Sequence, residues 1–184
     1  RNPSLFSIKV VGELVYDILC RSMVLIGITN FLVGVILTYQ LAVELSSFGV
    51  SLLSIQAAGI ALLREFSPFI TAIVIAARCS TGFAALIAVM KVNLEIDALK
   101  TMGRDAMCTL VIPRIVAMLI ALPLLTVWAD LTGMFGSMML THFYLGVSIS
   151  VYLQQFSAKV QLYQYLLGMQ KVPFFALLIV IIGC

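Results

Sequence analysis

Charged side chains are scarce in this chain: Asp, Glu, Lys and Arg together make up 10% of its 184 residues. Soluble globular domains carry about 25%. With 62% hydrophobic residues and a mean hydropathy of +1.16, the chain cannot cover a folded domain with a water-facing surface. Lipid must therefore be the solvent for most of it. The length allows one domain of about four or five membrane spans.

Sequence motifs for catalysis are missing as well. The chain has no G-x-x-x-x-G-K-[ST] motif, so we do not expect it to hydrolyse ATP through a P-loop of its own. It has no H-E-x-x-H or G-x-S-x-G motif, and its single histidine, His142, cannot build a metal cluster. The four cysteines form no C-x-x-C pair and are expected to be apolar packing residues. A net charge of +3 is too small to indicate a nucleic-acid partner.

Long apolar runs predict an all-α integral membrane bundle of about four transmembrane helices in a single domain, 1–184. The stretch 22–43 carries no charge over about 22 residues, enough to cross a hydrocarbon core of about 30 Å. The chain begins at Arg1 without Met and stops at Cys184 inside an apolar run, so we expect both ends to be incomplete. The predicted spans are 22–43, 52–90, 115–140 and 173–184, with an amphipathic interfacial segment at 1–20 and an external interfacial segment at 141–171.

What stands out against this background is a polar segment, 91–105, with six charged residues in fifteen positions. Asn93 can cap a short helix whose first turn carries Glu95 and Asp97, which favours the helix dipole, and Gly103 can end it. Lys and Arg are concentrated in this segment and near the N-terminus. Because basic residues accumulate on the inner side of membranes, we predict that both lie in the cytoplasm.

Charges inside the predicted spans are the strongest local oddities. A charge near the bilayer centre costs a few kcal/mol, so such groups pair, face a cavity or mark a transport route. Arg64 and Glu65 project about 100° apart on a helix, and we expect that they do not simply pair with each other. Arg78 needs a partner on another helix or a lipid phosphate. Pro68 predicts a helix kink. Asp130 is either the partner of one of these arginines or a residue at the outer boundary.

The order of these motifs resembles the MlaE/YrbE permease family. The chain is similar to the family patterns L-R-E-L-x-P, A-G-R-x-G-S, T-E-x-I-D-A-L-x-x-M-G and V-x-P-R, in the expected order over nearly its whole length. It departs from them where Ala77 and Ser80 stand in place of glycines and Leu86 in place of an acid. The matching runs are Leu63-Arg-Glu-Phe-Ser-Pro68, Ala77-Arg78, Glu95-Ile-Asp-Ala-Leu99, Met102-Gly103 and Val111-Ile-Pro-Arg114.

This resemblance implies the membrane subunit of an ABC transporter that works with an MCE protein. Two permease chains would form a homodimer that binds phospholipid at its interface in a bacterial inner membrane. Cytoplasmic ATPase subunits, which bind ATP and Mg, would lie beneath it, and the MCE protein on the opposite side. The chain itself would be a transport subunit without a catalytic site or cofactor. The helix 93–103 would match the coupling helix that contacts the ATPase, through Glu95, Asp97, Leu99, Met102 and Gly103.

Two other functions remain compatible with the residues. One is a secondary transporter in which Glu65 or Asp130 carries a coupling proton. The other is a membrane scaffold that moves nothing and recruits a soluble protein through the polar segment. The charged residues inside the spans, Arg64, Glu65, Arg78 and Asp130, either line a lipid route or lock helices together.

Overall fold

The regular structure of the chain is helical throughout the part that is described. A computed structural model describes residues 8–48, 53–93, 106–159 and 162–183. Within these ranges every regular element is a helix, which confirms the all-α prediction. In chain order the elements are α1 (Ile8–Ser46), α2 (Leu53–Ala61), a π-helical turn (Leu62–Phe66), α3 (Ser67–Val92), α4 (Ala106–Leu145), α5 (Ile149–Lys159) and α6 (Leu162–Gly183).

Among the residues that the structure describes, three helical stretches are long and apolar enough to cross a membrane: Val11–Ser46, Leu53–Arg78 and Ile112–Leu145. A shorter apolar helix, Tyr165–Ile181, is the fourth. At 1.5 Å per residue, the first and third are roughly 50 Å long and exceed a hydrocarbon core of about 30 Å. The chain is therefore an all-helical integral membrane protein, as the composition predicts.

Some helix boundaries differ from the expected segments. Helix α1 is continuous from Ile8, so part of the expected interfacial segment belongs to the same helix as the first span. Helix α6 begins at Leu162, well before Pro173, where the last span was expected to start. The polar residues Gln170 and Lys171 lower the hydropathy of the sequence just before Pro173, and for this reason the earlier part of the helix was not predicted as membrane span. Pro173 removes one backbone hydrogen bond, which membrane helices tolerate.

Helices α1 and α4 approach each other until their backbones touch. A Cβ added at Gly34 would collide with the Gly133 carbonyl oxygen, and one added at Gly136 would collide with the Phe31 carbonyl oxygen. Lipid tails are as apolar as leucine, so close packing of small residues replaces the hydrophobic effect as the force between membrane helices. The glycines therefore set the distance between these two helices.

Polar contacts fix the register of the same helix pair. The Trp128 indole Nε1 donates a hydrogen bond to the Met23 carbonyl oxygen at 3.1 Å. Closer to the C-terminal end of α1, Thr38 Oγ1 donates to Ser137 Oγ of α4 at 2.7 Å. Both bonds join α1 to α4, and sliding one helix along the other would break them together.

The remaining helices pack around this pair. Helix α6 contacts α3 and α4, while α2 contacts α1 and α5. Gln56 Nε2 of α2 donates to Gln155 Oε1 of α5 at 2.7 Å, which ties the short helix α5 to the bundle. The core shared by α1, α3, α4 and α6 consists of aliphatic side chains with almost no exposed surface, among them Ile26, Ile75, Met118, Leu122, Val172 and Val180.

We expect Gly34→Ala to lower the thermal unfolding midpoint of the protein in detergent. Its methyl group would force α1 away from α4, and overpacking of this kind costs roughly 1–3 kcal/mol. Gly12→Ala is the matched control, because a Cβ at Gly12 meets nothing within 4 Å. That control should melt at or slightly above the parent midpoint, since alanine is the better helix former. Equal midpoints for the two variants would contradict the glycine contact.

Candidate functional site

A π-helical turn interrupts the α-helical pattern between α2 and α3. The Ser67 N–H donates to the Leu62 carbonyl oxygen five residues earlier. The next residue, Pro68, has no N–H, so it cannot donate to the Leu63 carbonyl oxygen. Gly168 of α6 lies against that carbonyl, and a Cβ added there would come within 2.5 Å of it. Such turns are frequent at functional sites. The kink at Pro68 itself stays a prediction.

Three charged side chains meet at this turn. Lys171 Nζ of α6 donates to Glu65 Oε2 at 2.7 Å, and Arg64 Nε lies 3.4 Å from Glu65 Oε1. The expectation that Arg64 and Glu65 would not pair is wrong. Their Cα–Cβ bonds diverge, but the long arginine side chain reaches its neighbour. We call Arg64, Glu65 and Lys171 the charged triad.

The charged triad lies inside apolar helical stretches. Glu65 belongs to the stretch Leu53–Arg78, and Lys171 belongs to Tyr165–Ile181. Even so, the side chains of Arg64, Glu65 and Lys171 are 46%, 55% and 43% exposed. Charges facing acyl chains at this depth would cost a few kcal/mol each. The surface around the triad therefore requires a polar cavity or another chain against it.

A cavity of about 210 Å³ opens beside the triad. Arg64 and Lys171 line it together with Gln170, and Leu167 and Phe174 provide its apolar wall. Cations beside apolar side chains match the two halves of a phospholipid, because guanidinium and ammonium groups bind phosphate while the wall suits acyl chains.

A larger groove of about 530 Å³ runs between α1 and α4. Its described lining carries no charged side chain and includes several aromatic rings and a glycine. This chemistry suits acyl chains rather than headgroups. Residues on its walls include Met23, Gly27, Phe31, Trp128, Thr132 and Phe135.

Asp130 is buried among the helices, with only 4% of its surface exposed. Ser67 and Tyr165 are among its described neighbours, and Ser67 is close enough to interact with the carboxyl group. Neither Ser67 Oγ nor Asp130 Oδ1 completes a hydrogen bond of normal geometry, and the same holds for Thr71 Oγ1 one turn further on. Incompletely bonded polar groups in a core are uncommon, and this cluster lies directly after the π-helical turn.

Arg78 lies away from the charged triad, thirteen residues after Glu65 on the continuing helix α3. Its Nη1 donates to the backbone carbonyl oxygen of Arg21 in α1. The prediction that Arg78 needs a partner on another helix or a lipid phosphate is thus met by a partner on another helix. The Arg21 guanidinium pairs in turn with Asp17, one turn earlier on α1.

The predicted coupling residues Glu95, Asp97, Leu99, Met102 and Gly103 all lie outside the described residues. Their role stays a prediction. The segment that contains them connects the end of α3 at Val92 to the start of α4 at Ala106.

Sequence reasoning missed Lys171, which it assigned to an external segment. A signal was available, because Lys171 is a single cation within the apolar run Tyr165–Ile181. The same argument that singled out Arg64 and Glu65 applies to it. What the sequence does not contain is the contact between α6 and the π-helical turn, which brings Lys171 to Glu65.

Comparison with known proteins gives consistent relatives. The chain is 32% identical over 164 residues to a probable ABC transporter permease protein of Synechocystis sp., a match that covers 89% of this chain and 62% of the relative. It is 31% identical over 157 residues to Protein TRIGALACTOSYLDIACYLGLYCEROL 1, chloroplastic, of Arabidopsis thaliana, covering 85% of this chain and 45% of the relative.

A probable ABC transporter permease protein of Rickettsia typhi is 29% identical over 183 residues, which cover 100% of this chain and 70% of that relative. The chain thus spans roughly half to two thirds of the length of these relatives. The family described as Permease MlaE matches residues 11–184. With nearly the whole chain matched and the family's motifs present in order, this chain belongs to the MlaE permease family.

Proposed function

We propose that this chain is the membrane permease subunit of an ATP-driven phospholipid transporter, with lipid bound at the interface of a permease homodimer. The charged triad carries the proposal. Arg64, Glu65 and Lys171 are exposed on one chain at a depth where lipid tails cannot solvate them. A second copy against this face would cover the charges and enclose the amphipathic cavity beside them.

The relatives support the same class of activity. Several are named as ABC transporter permeases, a class in which a separate chain hydrolyses ATP. The chloroplast relative carries the name of a galactosyl diacylglycerol, which is a lipid. We infer that ATP and Mg bind the partner ATPase in the cytoplasm, on the same side as the N-terminus. An MCE protein on the opposite side of a bacterial inner membrane would receive or deliver the lipid.

The transfer is non-covalent and needs no catalytic group in this chain. A lipid phosphate in the cavity would be held by the Arg64 guanidinium, whose planar fork matches phosphate oxygens. Glu65 positions both cations, because it bonds Lys171 and approaches Arg64. Closure of the ATPase would act on the predicted coupling helix 93–103, which follows α3 in the chain, and α3 would transmit the movement to the π-helical turn and change the shape of the cavity.

We expect Lys171→Met to reduce ATP-dependent lipid transfer by at least about tenfold, equivalent to roughly 1.4 kcal/mol in the barrier. The change leaves Glu65 without its closest cation. The measurement uses the full permease with its ATPase in vesicles containing labelled phospholipid. Lys171→Arg keeps the charge and should retain most of the activity.

Exchanging the charges of Glu65 and Lys171 tests whether the triad contacts lipid or only holds the two helices together. The double variant Glu65→Lys with Lys171→Glu preserves the ion pair but moves the cation to the other helix. If the triad holds lipid, this variant should assemble normally and still fail to transfer lipid. Lipid transfer at the wild-type rate in this variant would contradict the lipid contact. It would indicate that the ion pair only holds the helices together.

The coupling helix is tested by copurification. We expect the double variant Glu95→Ala with Asp97→Ala to lose most of the ATPase from the purified complex while the permease stays in the membrane. Glu44→Ala is a suitable control, since Glu44 is an exposed acidic residue near the C-terminal end of α1 and lies outside the predicted coupling segment. Undiminished ATPase in the double variant would argue against this segment as the docking site.

The same vesicles test the proton-coupled alternative. With ATP absent and a pH gradient imposed, the proposal predicts no lipid transfer. Transfer driven by the gradient alone would contradict it and would point to Glu65 or Asp130 as the proton carrier.

A further inference from the structure

A second charged site lies at the edge of the membrane, away from the charged triad. The uncharged run of α1 starts at Ser22 and is long enough to cross the hydrocarbon core, so Arg21 marks its boundary. Arg78 belongs to α3, which packs against α1. The hydrogen bond from Arg78 Nη1 to the Arg21 carbonyl oxygen brings the Arg78 guanidinium to this boundary. This is the depth of lipid phosphates.

A cavity of about 140 Å³ is built between the two helices at this level. Arg21, Asp17 and Ser22 line it from α1, and Arg78 and Gly82 line it from α3. Two aliphatic side chains complete its wall, Leu14 and Ile18. The site therefore combines two guanidinium groups with a small apolar surface.

The Ser22 hydroxyl is the least satisfied group of this cavity. Ser22 is only 1% exposed, and its Oγ has no hydrogen-bond partner among the described residues. A buried hydroxyl without a partner is costly, and an acceptor inside the cavity would relieve that cost. Gly82 leaves room for such an acceptor, because a Cβ added there meets nothing within 4 Å.

We propose that this cavity binds the phosphate group of a membrane phospholipid, held by the Arg78 and Arg21 guanidinium groups and the Ser22 hydroxyl. Guanidinium matches phosphate geometry, and the aliphatic wall suits the glycerol and first methylene groups of the same lipid. The bound lipid is a resident of the bilayer edge and is not the lipid at the charged triad. The site does not depend on the proposed transport function.

The Asp17 carboxylate repels an anion in this cavity and so weakens phosphate binding. It pairs with Arg21, so a phosphate must share that guanidinium with it. Glu13, one turn earlier on α1 and exposed, adds a second negative charge to the same helix. Removing the Asp17 charge should therefore strengthen binding of the phosphate.

The test is native mass spectrometry of the full-length permease, with phosphatidylglycerol, diacylglycerol and inorganic phosphate as separate probes. In the Lys171→Met background, which weakens the phospholipid site proposed at the charged triad, the protein should retain phosphatidylglycerol and should retain diacylglycerol much more weakly, because diacylglycerol lacks the phosphate. Gly82→Leu fills the cavity without changing any charge and should reduce retention by at least about fivefold, as should Ser22→Ala to a lesser degree. Asp17→Asn should increase it.

Gly12→Leu is the matched control, because Gly12 is also an open helical position and lies outside the cavity. It should retain phosphatidylglycerol like the parent Lys171→Met protein. Equal retention by the Gly82→Leu and Gly12→Leu variants would overturn the proposal, and so would lower retention in Asp17→Asn. Displacement of the lipid by equimolar inorganic phosphate would show that the cavity binds free phosphate rather than a phospholipid. Melting curves of all variants exclude loss of folding as the cause.

Discussion

Helices α1 and α4 touch through backbone atoms at Gly34, Gly133 and Gly136, and the other helices pack around this pair. In lipid there is little hydrophobic gain from bringing two helices together, so close packing and a few hydrogen bonds must hold them. The Thr38–Ser137 and Trp128–Met23 bonds are of this kind. Because α1 is held against α4, the Arg21 carbonyl oxygen of α1 lies where the Arg78 side chain of α3 can donate a hydrogen bond to it.

The same need for close approach governs α6. Gly168 lies against the Leu63 carbonyl oxygen at the π-helical turn, and a larger residue would move α6 outward. Lys171, less than one turn further along α6, reaches Glu65 only because this distance is short. A proline without an N–H, a glycine without a side chain and a turn with an altered hydrogen-bond pattern thus act together to assemble the charged triad.

The charged triad and the Arg21–Arg78 pair are two separate groups of charges. The triad is exposed on one chain although acyl chains cannot solvate it, and for this reason we propose that a second chain and an amphipathic ligand cover it. Arg78 donates to the Arg21 carbonyl oxygen at the start of the uncharged run of α1, the level that we propose for a lipid phosphate. Asp130 belongs to neither group, because it is enclosed in the core beside Ser67.

The sequence by itself determined the class of the molecule, since a chain with 10% charged residues cannot solvate a folded surface in water. It also determined which charges are exceptional, because Arg64, Glu65 and Arg78 interrupt an apolar run, and its ordered motifs identified the family. The tertiary structure alone decided the partners of these charges. Local spacing indicated that Arg64 and Glu65 diverge, whereas the fold pairs Glu65 both with Arg64 and with Lys171, which lies more than a hundred residues away in the sequence. Pairing across helices depends on how closely their backbones approach, and that distance is set by glycines on different helices, which no local pattern in the sequence connects.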